Sequence, residues 1–196
     1  MLIEETTREQ AEDRQPILVP VHDLHLPDGR NCRLFVGNLC GASDAGALMA
    51  AGITSSLNVS LNIDVPALRL PDGTHMRRAK VGLIDGPGNS PAHLAAAVLA
   101  LDGLLTQASP GKPGYPAHRP GNVLVNCRGG RSRSVTVLAL YLHLRAPEAY
   151  PGLADALAHI RARRGNAPTY PLPPMIALAE TLLRHGALAD CLAVRG

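Results

Sequence analysis

The sequence predicts a single α/β domain in which a central, mostly parallel sheet is flanked by helices, and three observations lead there. Short apolar runs bounded by glycine and proline alternate with segments of helical period, the pattern of strands joined by helical crossovers. Of 196 residues, 46% are hydrophobic and 18% charged, so one core can be buried without disulfides or a structural metal. The four cysteines, Cys32, Cys40, Cys127 and Cys191, stand at spacings that fit no zinc or Cys-x-x-Cys pattern. No metal and no cofactor are therefore expected.

Residues 1–15 are polar and aperiodic, with Glu4, Glu5, Glu9, Glu12 and Asp13 against Arg8 and Arg14. They read as a flexible acidic arm ahead of a domain over 16–196. Acids at those positions do not fit a secretory leader, and a reduced, cytoplasmic protein is expected. Runs at 17–21 and 33–36 read as strands. Ser43 and Asp44 cap a short helix that Gly52 closes, and 53–59 alternates as a strand. Residues 62–78 form an irregular excursion with a turn at Pro71-Asp72-Gly73, before a strand at 79–84 that Asp85-Gly86-Pro87-Gly88-Asn89 breaks. Ser90 and Pro91 open a helix carrying Leu94, Val98, Leu101 and Leu105, and the proline-rich stretch 109–121 is a loop. Val123-Leu124-Val125 is a buried strand, followed across a Gly-containing turn by a buried helix at 135–144. Helices near 151–164 and 173–185 and a last turn at 187–192 complete the chain. The longest apolar runs, 94–101 and 135–144, reach about half the ~20 residues a bilayer demands, so no membrane insertion is expected.

The net charge is +3 although the first fourteen residues carry −3, which leaves a basic body. Seventeen of the nineteen cations are arginine, the side chain that grips oxyanions with a fork of donors. An arginine-rich composition overall is the plainer source of the surface arginines. With no Trp, one Phe and four Tyr, the chain lacks the stacking platforms of single-stranded nucleic-acid modules, and nucleic acid is not an expected partner.

The chemistry concentrates between residues 123 and 134, a strand, a loop and a helix start. A loop of this kind aims several backbone N–H groups at one point, and the helix adds partial positive charge there, so the loop is an anion cradle. Gly129 and Gly130 let the backbone come close, Cys127 opens the cradle and Arg133 closes it. A cysteine in that field is expected as thiolate, the nucleophilic form. The alternative is a tight turn around an inert buried thiol.

The run Cys127-Arg128-Gly129-Gly130-Arg131-Ser132-Arg133-Ser134 resembles the C-x-x-G-x-x-R-[ST] signature of cysteine-dependent phosphatases. The wider chain resembles the dual-specificity protein phosphatases, as a bacterial-type member. The likeness runs from Arg33-Leu34-Phe35-Val36-Gly37-Asn38 through Ala42-Ser43-Asp44 and Gly52-Ile53-Thr54 to the helices after the loop. It implies a cysteine-phosphatase fold, a monomer, and Cys127 as nucleophile. It further implies that Arg133 binds the phosphoryl oxygens with Arg128, Gly129, Gly130, Arg131 and Ser132 around it, and that Ser134 helps the thiolate leave. The family also needs a general acid on a separate loop, and Asp85, on a hinge-like Gly-Pro-Gly segment past a strand, fits. Asp64 and Asp72 are rivals, and Asp102, within a helix, is worse placed.

Two features depart from the family pattern. Asn126 stands where the family has a histidine bracing the loop; an amide can donate a hydrogen bond but carries no charge, so the loop is expected to hold the thiolate less firmly. Asp85 and Cys127 are also 42 residues apart, a surplus that fits an insertion at 109–121. Arg128 and Arg131 make the loop unusually basic, which resembles phosphatases of phosphatidylglycerophosphate and phosphoinositides; equally, they point to solvent or brace neighbouring loops. His22 and His25 read as turn residues rather than ligands, and the Arg161–Arg164 run as a solvated helix end that could touch acidic partners or lipid headgroups. Cys32 or Cys40 could trap Cys127 in a disulfide, though buried core thiols are the default. Three functions compete: a phosphatase of phosphotyrosine, extending to phosphoserine or phosphothreonine, on proteins; a phospholipid phosphatase; and a phosphate-binding module without turnover.

Overall fold

A parallel strand hydrogen-bonded on both edges must be covered on both faces, and the chain supplies that cover in sequence order. The computed structural model describes residues 6–107, 111–116 and 118–193. Helix α1 (Thr7–Glu12) is followed by β1 (Leu18–His25), β2 (Asn31–Gly37), α2 (Leu39–Ser43), α3 (Ala45–Ala50), β3 (Ile53–Ser60) and β4 (Arg77–Leu83). Then come α4 (Pro91–Thr106), β5 (Asn122–Asn126), α5 (Arg133–Arg145), α6 (Leu153–Arg164), α7 (Pro173–His185) and α8 (Ala187–Ala193). The strands lie in the order β1-β2-β5-β3-β4. Only β1 runs antiparallel to its neighbour.

The period-2 alternation of strand side chains divides the core in two. Leu34, Val36, Leu57, Val59, Val123 and Val125 face helices α4 to α7, where they meet Leu94, Leu101, Leu138 and Met175. Phe35, Ile53 and Leu124 face the other way, against Leu48 of α3 and Leu70 and Met76 of the excursion before β4. Helix α5 is buried along its first ten residues, from Arg133 to Leu142, as a helix apolar on every side must be. It runs through the middle of the helical layer, so the loop in front of it is held on rigid elements.

Three adjacent parallel strands, β5, β3 and β4, end on the same side of the sheet. Within two residues of their ends stand Cys127, Asn62 and Asp85 respectively. In open α/β sheets ligands bind outside the carboxyl ends of the strands, and this is where the loops converge.

Several expectations are corrected. The arm is not structureless: Thr6 caps α1 in a reciprocal box with Glu9, and α1 docks beside the 127–133 loop. Strand β1 continues to His25 because it pairs with β2 through Leu24 and Cys32, so His22 and His25 are strand residues bonded to Tyr150 and Asn31. The helix expected after Ser43 is α3, capped by Asp44 at Ala47 N–H, and a further short helix, α2, capped by Asn38 at Gly41 N–H, stands before it. Part of the 109–121 loop lies outside the described residues. No helix of the described residues is long and apolar enough to cross a membrane.

Candidate active site

The turn from β5 into α5 is made by residues 127–132, and its shape is imposed from outside. Arg128 O accepts from Leu39 N–H (3.0 Å), Gly129 O from Arg164 Nη2 (3.2 Å) and Arg131 O from Asn166 Nδ2 (3.1 Å). A trans peptide points its C=O and N–H in opposite directions, so carbonyls held outward turn the N–H groups of Gly129, Gly130 and Ser132 inward. Gly130 sits at φ 68°, and a Cβ there would lie 2.7 Å from the Gly37 carbonyl oxygen, which makes glycine necessary on two counts.

This cradle frames a pocket of about 60 Å³, whose walls include Cys127, Arg133, Asp85 and Tyr170. Cys127 is buried, with its Sγ 3.3 Å from Ser134 Oγ. Arg133 is likewise buried, and its Nη1 donates to Asn62 Oδ1 (3.2 Å) and to Leu83 O (3.3 Å). These bonds fix the guanidinium and leave its buried Nε without a hydrogen-bond acceptor. An unanswered N–H donor beside a pocket is costly until an anion accepts from it. Asp85 Oδ2 stands 3.6 Å from that Nε, close enough to attract but too far for a hydrogen bond. The Gly86-Pro87-Gly88 segment behind Asp85 is clamped: Asn89 Nδ2 donates to Ile84 O, and Asn89 Oδ1 accepts from Ile84 N–H, both at 2.8 Å.

Asp85 is the one carboxylate among the described residues that lines this pocket. The rivals are engaged elsewhere, Asp64 with Lys80, Asp72 with Arg119, and Asp102 with Arg145 and Tyr141. Ser132 turns its hydroxyl to accept from Leu172 N–H (3.2 Å), so its contribution at the pocket is backbone. Asn126 does not brace the loop as expected: its amide is fully buried, and neither polar atom has a partner among the described residues.

The basic side chains of the loop face α1. Arg131 is 5% exposed and pairs with Asp13 (2.9 Å), Glu12 (3.7 Å) and Glu9 (3.8 Å), with its guanidinium 5.9 Å from the Tyr170 ring centre. Arg128 lies 3.6 Å from Asp13. Arg164, expected on a solvated helix end, is buried and binds Glu12 at 2.9 Å. Burial alone would raise the Glu12 carboxyl, but hydrogen bonding and charge from Arg164 outweigh it and hold the group below its ordinary value. Glu9 is held low in the same way, against its own burial, by Thr6 and Arg131. Burial, then the charge of Glu9, pushes the Tyr170 phenol upward.

Cys32 is excluded as a partner of Cys127. Its thiol donates to Gly121 O, at the start of β5, whereas Cys127 follows the end of that strand. The intervening strand spans roughly 15 Å or more at ~3.3 Å per residue. Burial also raises Cys32 to about 11. Cys40 donates to Asp13 O at 3.0 Å. No cluster of three His, Cys, Asp or Glu side chains suited to a metal occurs among the described residues.

Sequence reading missed Asn62, Asn89, Tyr170 and Asn166, and left Arg164 on a solvated helix end. Only Asn62 carried a usable signal, since it follows the end of a buried strand as Asp85 does.

Comparison by sequence finds no matching family model and no matching curated protein. Solved structures do match. A variant of human DUSP28 superposes with a TM-score of 0.61 at 25% identity, covering 88% of this chain and 97% of that one. The Yvh1 phosphatase domain from Chaetomium thermophilum gives 0.61 at 26% identity, over 80% and 94% of the two chains. A mouse dual-specificity phosphatase solved with zinc tungstate gives 0.58 at 25% identity, over 86% and 92%. A cysteine at the floor of a Gly-rich loop, on a parallel sheet of this strand order, defines the cysteine-phosphatase class of fold. Within it, the chain is similar to the dual-specificity phosphatases.

Proposed function

We propose that this protein is a cysteine-dependent phosphatase that hydrolyses phosphomonoesters on proteins, phosphotyrosine first and phosphoserine or phosphothreonine within reach. The observation that carries the reading is the meeting of Cys127 Sγ, Ser134 Oγ, the Arg133 guanidinium and the Asp85 carboxyl around one small pocket lined by inward amides.

In the first step the phosphoryl oxygens accept from the loop N–H groups and from Arg133, whose Nε gains the acceptor it lacks. Phosphoryl transfer asks mainly for positioning and charge stabilisation, and these groups supply both. The Cys127 thiolate attacks phosphorus, a P–S bond forms and the P–O bond to the leaving group breaks. Asp85, displaced from Arg133 by the phosphoryl group, gives its proton to the departing oxygen. In the second step Asp85 takes a proton from water, whose oxygen attacks phosphorus, and the P–S bond breaks. Ser134 donates to the sulfur as its negative charge returns.

A protein substrate is favoured over a phospholipid by the side chains of the loop. Arg131 is occupied by Glu9, Glu12 and Asp13, and Arg128 leans on Asp13, so the charge that motivated the lipid reading is met within the chain. Parallel phosphate-release assays on phosphopeptides and on phosphoinositides test this, and faster turnover of the lipids would overturn it. Cys127→Ser is expected to abolish hydrolysis of an aryl phosphate, while a chelator leaves wild-type turnover unchanged. A wild-type protein that binds phosphate without turnover would establish the binding-module reading instead.

A further inference from the structure

A second cavity, of about 200 Å³, lies between the β3–β4 edge of the sheet and the loop that follows β3. Ser56, Asn58, Asp64, Val65, Arg78 and Lys80 line it. None of these residues lines the pocket above Cys127, and neither cation has a part in the proposed reaction.

Arg78 is half-buried, and its guanidinium donates to Ala42 O (2.8 Å) and, at a long 3.4 Å, to Ser56 Oγ. Its Nε is buried without an acceptor, and among the described residues no carboxylate pairs with it. A guanidinium carries five N–H donors, so most of them go unused here. Withdrawal from water, with no acid opposite, lowers the pKa of Arg78 from the ordinary arginine value. A cation held this way is unfavourable until an anion joins it. Lys80 is the second cation, tied to Asp64 by an exposed ion pair worth little and easily exchanged. Asn58 is spent on the loop, giving its amide N–H to Ile63 O and accepting from Ser60 N–H, so it shapes the cavity rather than serving a ligand. The volume is below the roughly 300–1,000 Å³ of sites for drug-sized molecules, which limits the occupant to a small one.

We propose that this cavity is a second anion-binding site, for a small ligand with a phosphate or carboxylate group gripped by Arg78 and neutralised further by Lys80. The loop after β3, which borders this cavity, also carries Asn62, which holds Arg133, so the two sites must be told apart residue by residue.

The test is an NMR titration of full-length Cys127→Ser protein with inorganic phosphate and, separately, with acetate. The expected result is saturable movement of the Ser56, Asp64 and Lys80 amides with at least one anion, and the stronger anion names the acid group of the ligand. Arg78→Gln is expected to abolish that movement while phosphate still shifts the amides of residues 128–132. Amides at Ser56 and Lys80 that ignore both anions, or that move equally in Arg78→Gln, would overturn the site. Should Arg78→Gln fail to fold, Lys80→Gln alters an exposed residue and is expected to weaken binding about two- to fivefold; unchanged affinity there counts against the proposal as decisively.

Discussion

Arg133 depends on a residue that sequence reading passed over. Asn62 and the Leu83 carbonyl hold its Nη1, and this leaves the Nε edge of the fork facing the pocket. Asn62→Ala should therefore lower kcat/KM for an aryl phosphate about tenfold, the worth of one hydrogen bond to a charged group, with the fold intact by circular dichroism. An unchanged kcat/KM would show that Asn62 does not position the guanidinium. Asp85→Asn should slow hydrolysis of esters with poor leaving groups by about 10²–10⁴-fold and affect activated aryl phosphates far less, since only the former need the proton. Equal losses on both would remove Asp85 as general acid. Ser134 contacts sulfur rather than substrate, so Ser134→Ala should slow breakdown of the phospho-enzyme by roughly 10–100-fold and turn steady turnover into a burst in stopped-flow traces.

Helix α1 is held by charge, capping and the hydrogen bond from Asn38 Nδ2 to Glu12 O rather than by an apolar face, since none of its residues is buried. That is why it was illegible in the sequence: it has no apolar period, and its partners Arg128, Arg131 and Arg164 lie more than a hundred residues away. The strands β3 and β5 and the helices α4 and α7 were legible because an apolar run or a proline at the first turn announces each locally. Strand β1 past Val21 was not, because its exposed half is kept extended by pairing with β2. The carboxylates that dock α1 have folded-state pKa values below the ordinary 4.5. They stabilise the docked helix above that pH, and the contribution is lost as acidification protonates them in the folded state. Amide exchange of residues 7–13 should accordingly accelerate before the core does as pH falls through the carboxylate range; simultaneous loss of both would contradict this. Glu12→Gln at neutral pH should cost about 1–3 kcal/mol, read as a fall in Tm of several degrees.

At the scale of the whole molecule, function follows from three parallel strands ending together. Beyond β3 stands Asn62, beyond β4 Asp85, and beyond β5 the loop from Cys127 to Arg133, so groups far apart in the chain are delivered to one pocket by the sheet. The Cys127-to-Arg133 spacing was readable because one short loop contains it, and Asp85 because it breaks a strand. The outer supports, Leu39, Arg164 and Asn166 on the loop carbonyls, were unreadable because each acts through tertiary contact with no local pattern.

The claim beneath the whole account is that phosphorus bonds to Cys127 during turnover. Rapid acid quench of wild-type protein with an aryl phosphate, followed by peptide mass spectrometry, tests it directly. The account predicts a phosphorylated peptide whose label maps to Cys127 and accumulates further in Ser134→Ala. Turnover that persists in Cys127→Ser, or a label on any other residue, would contradict it.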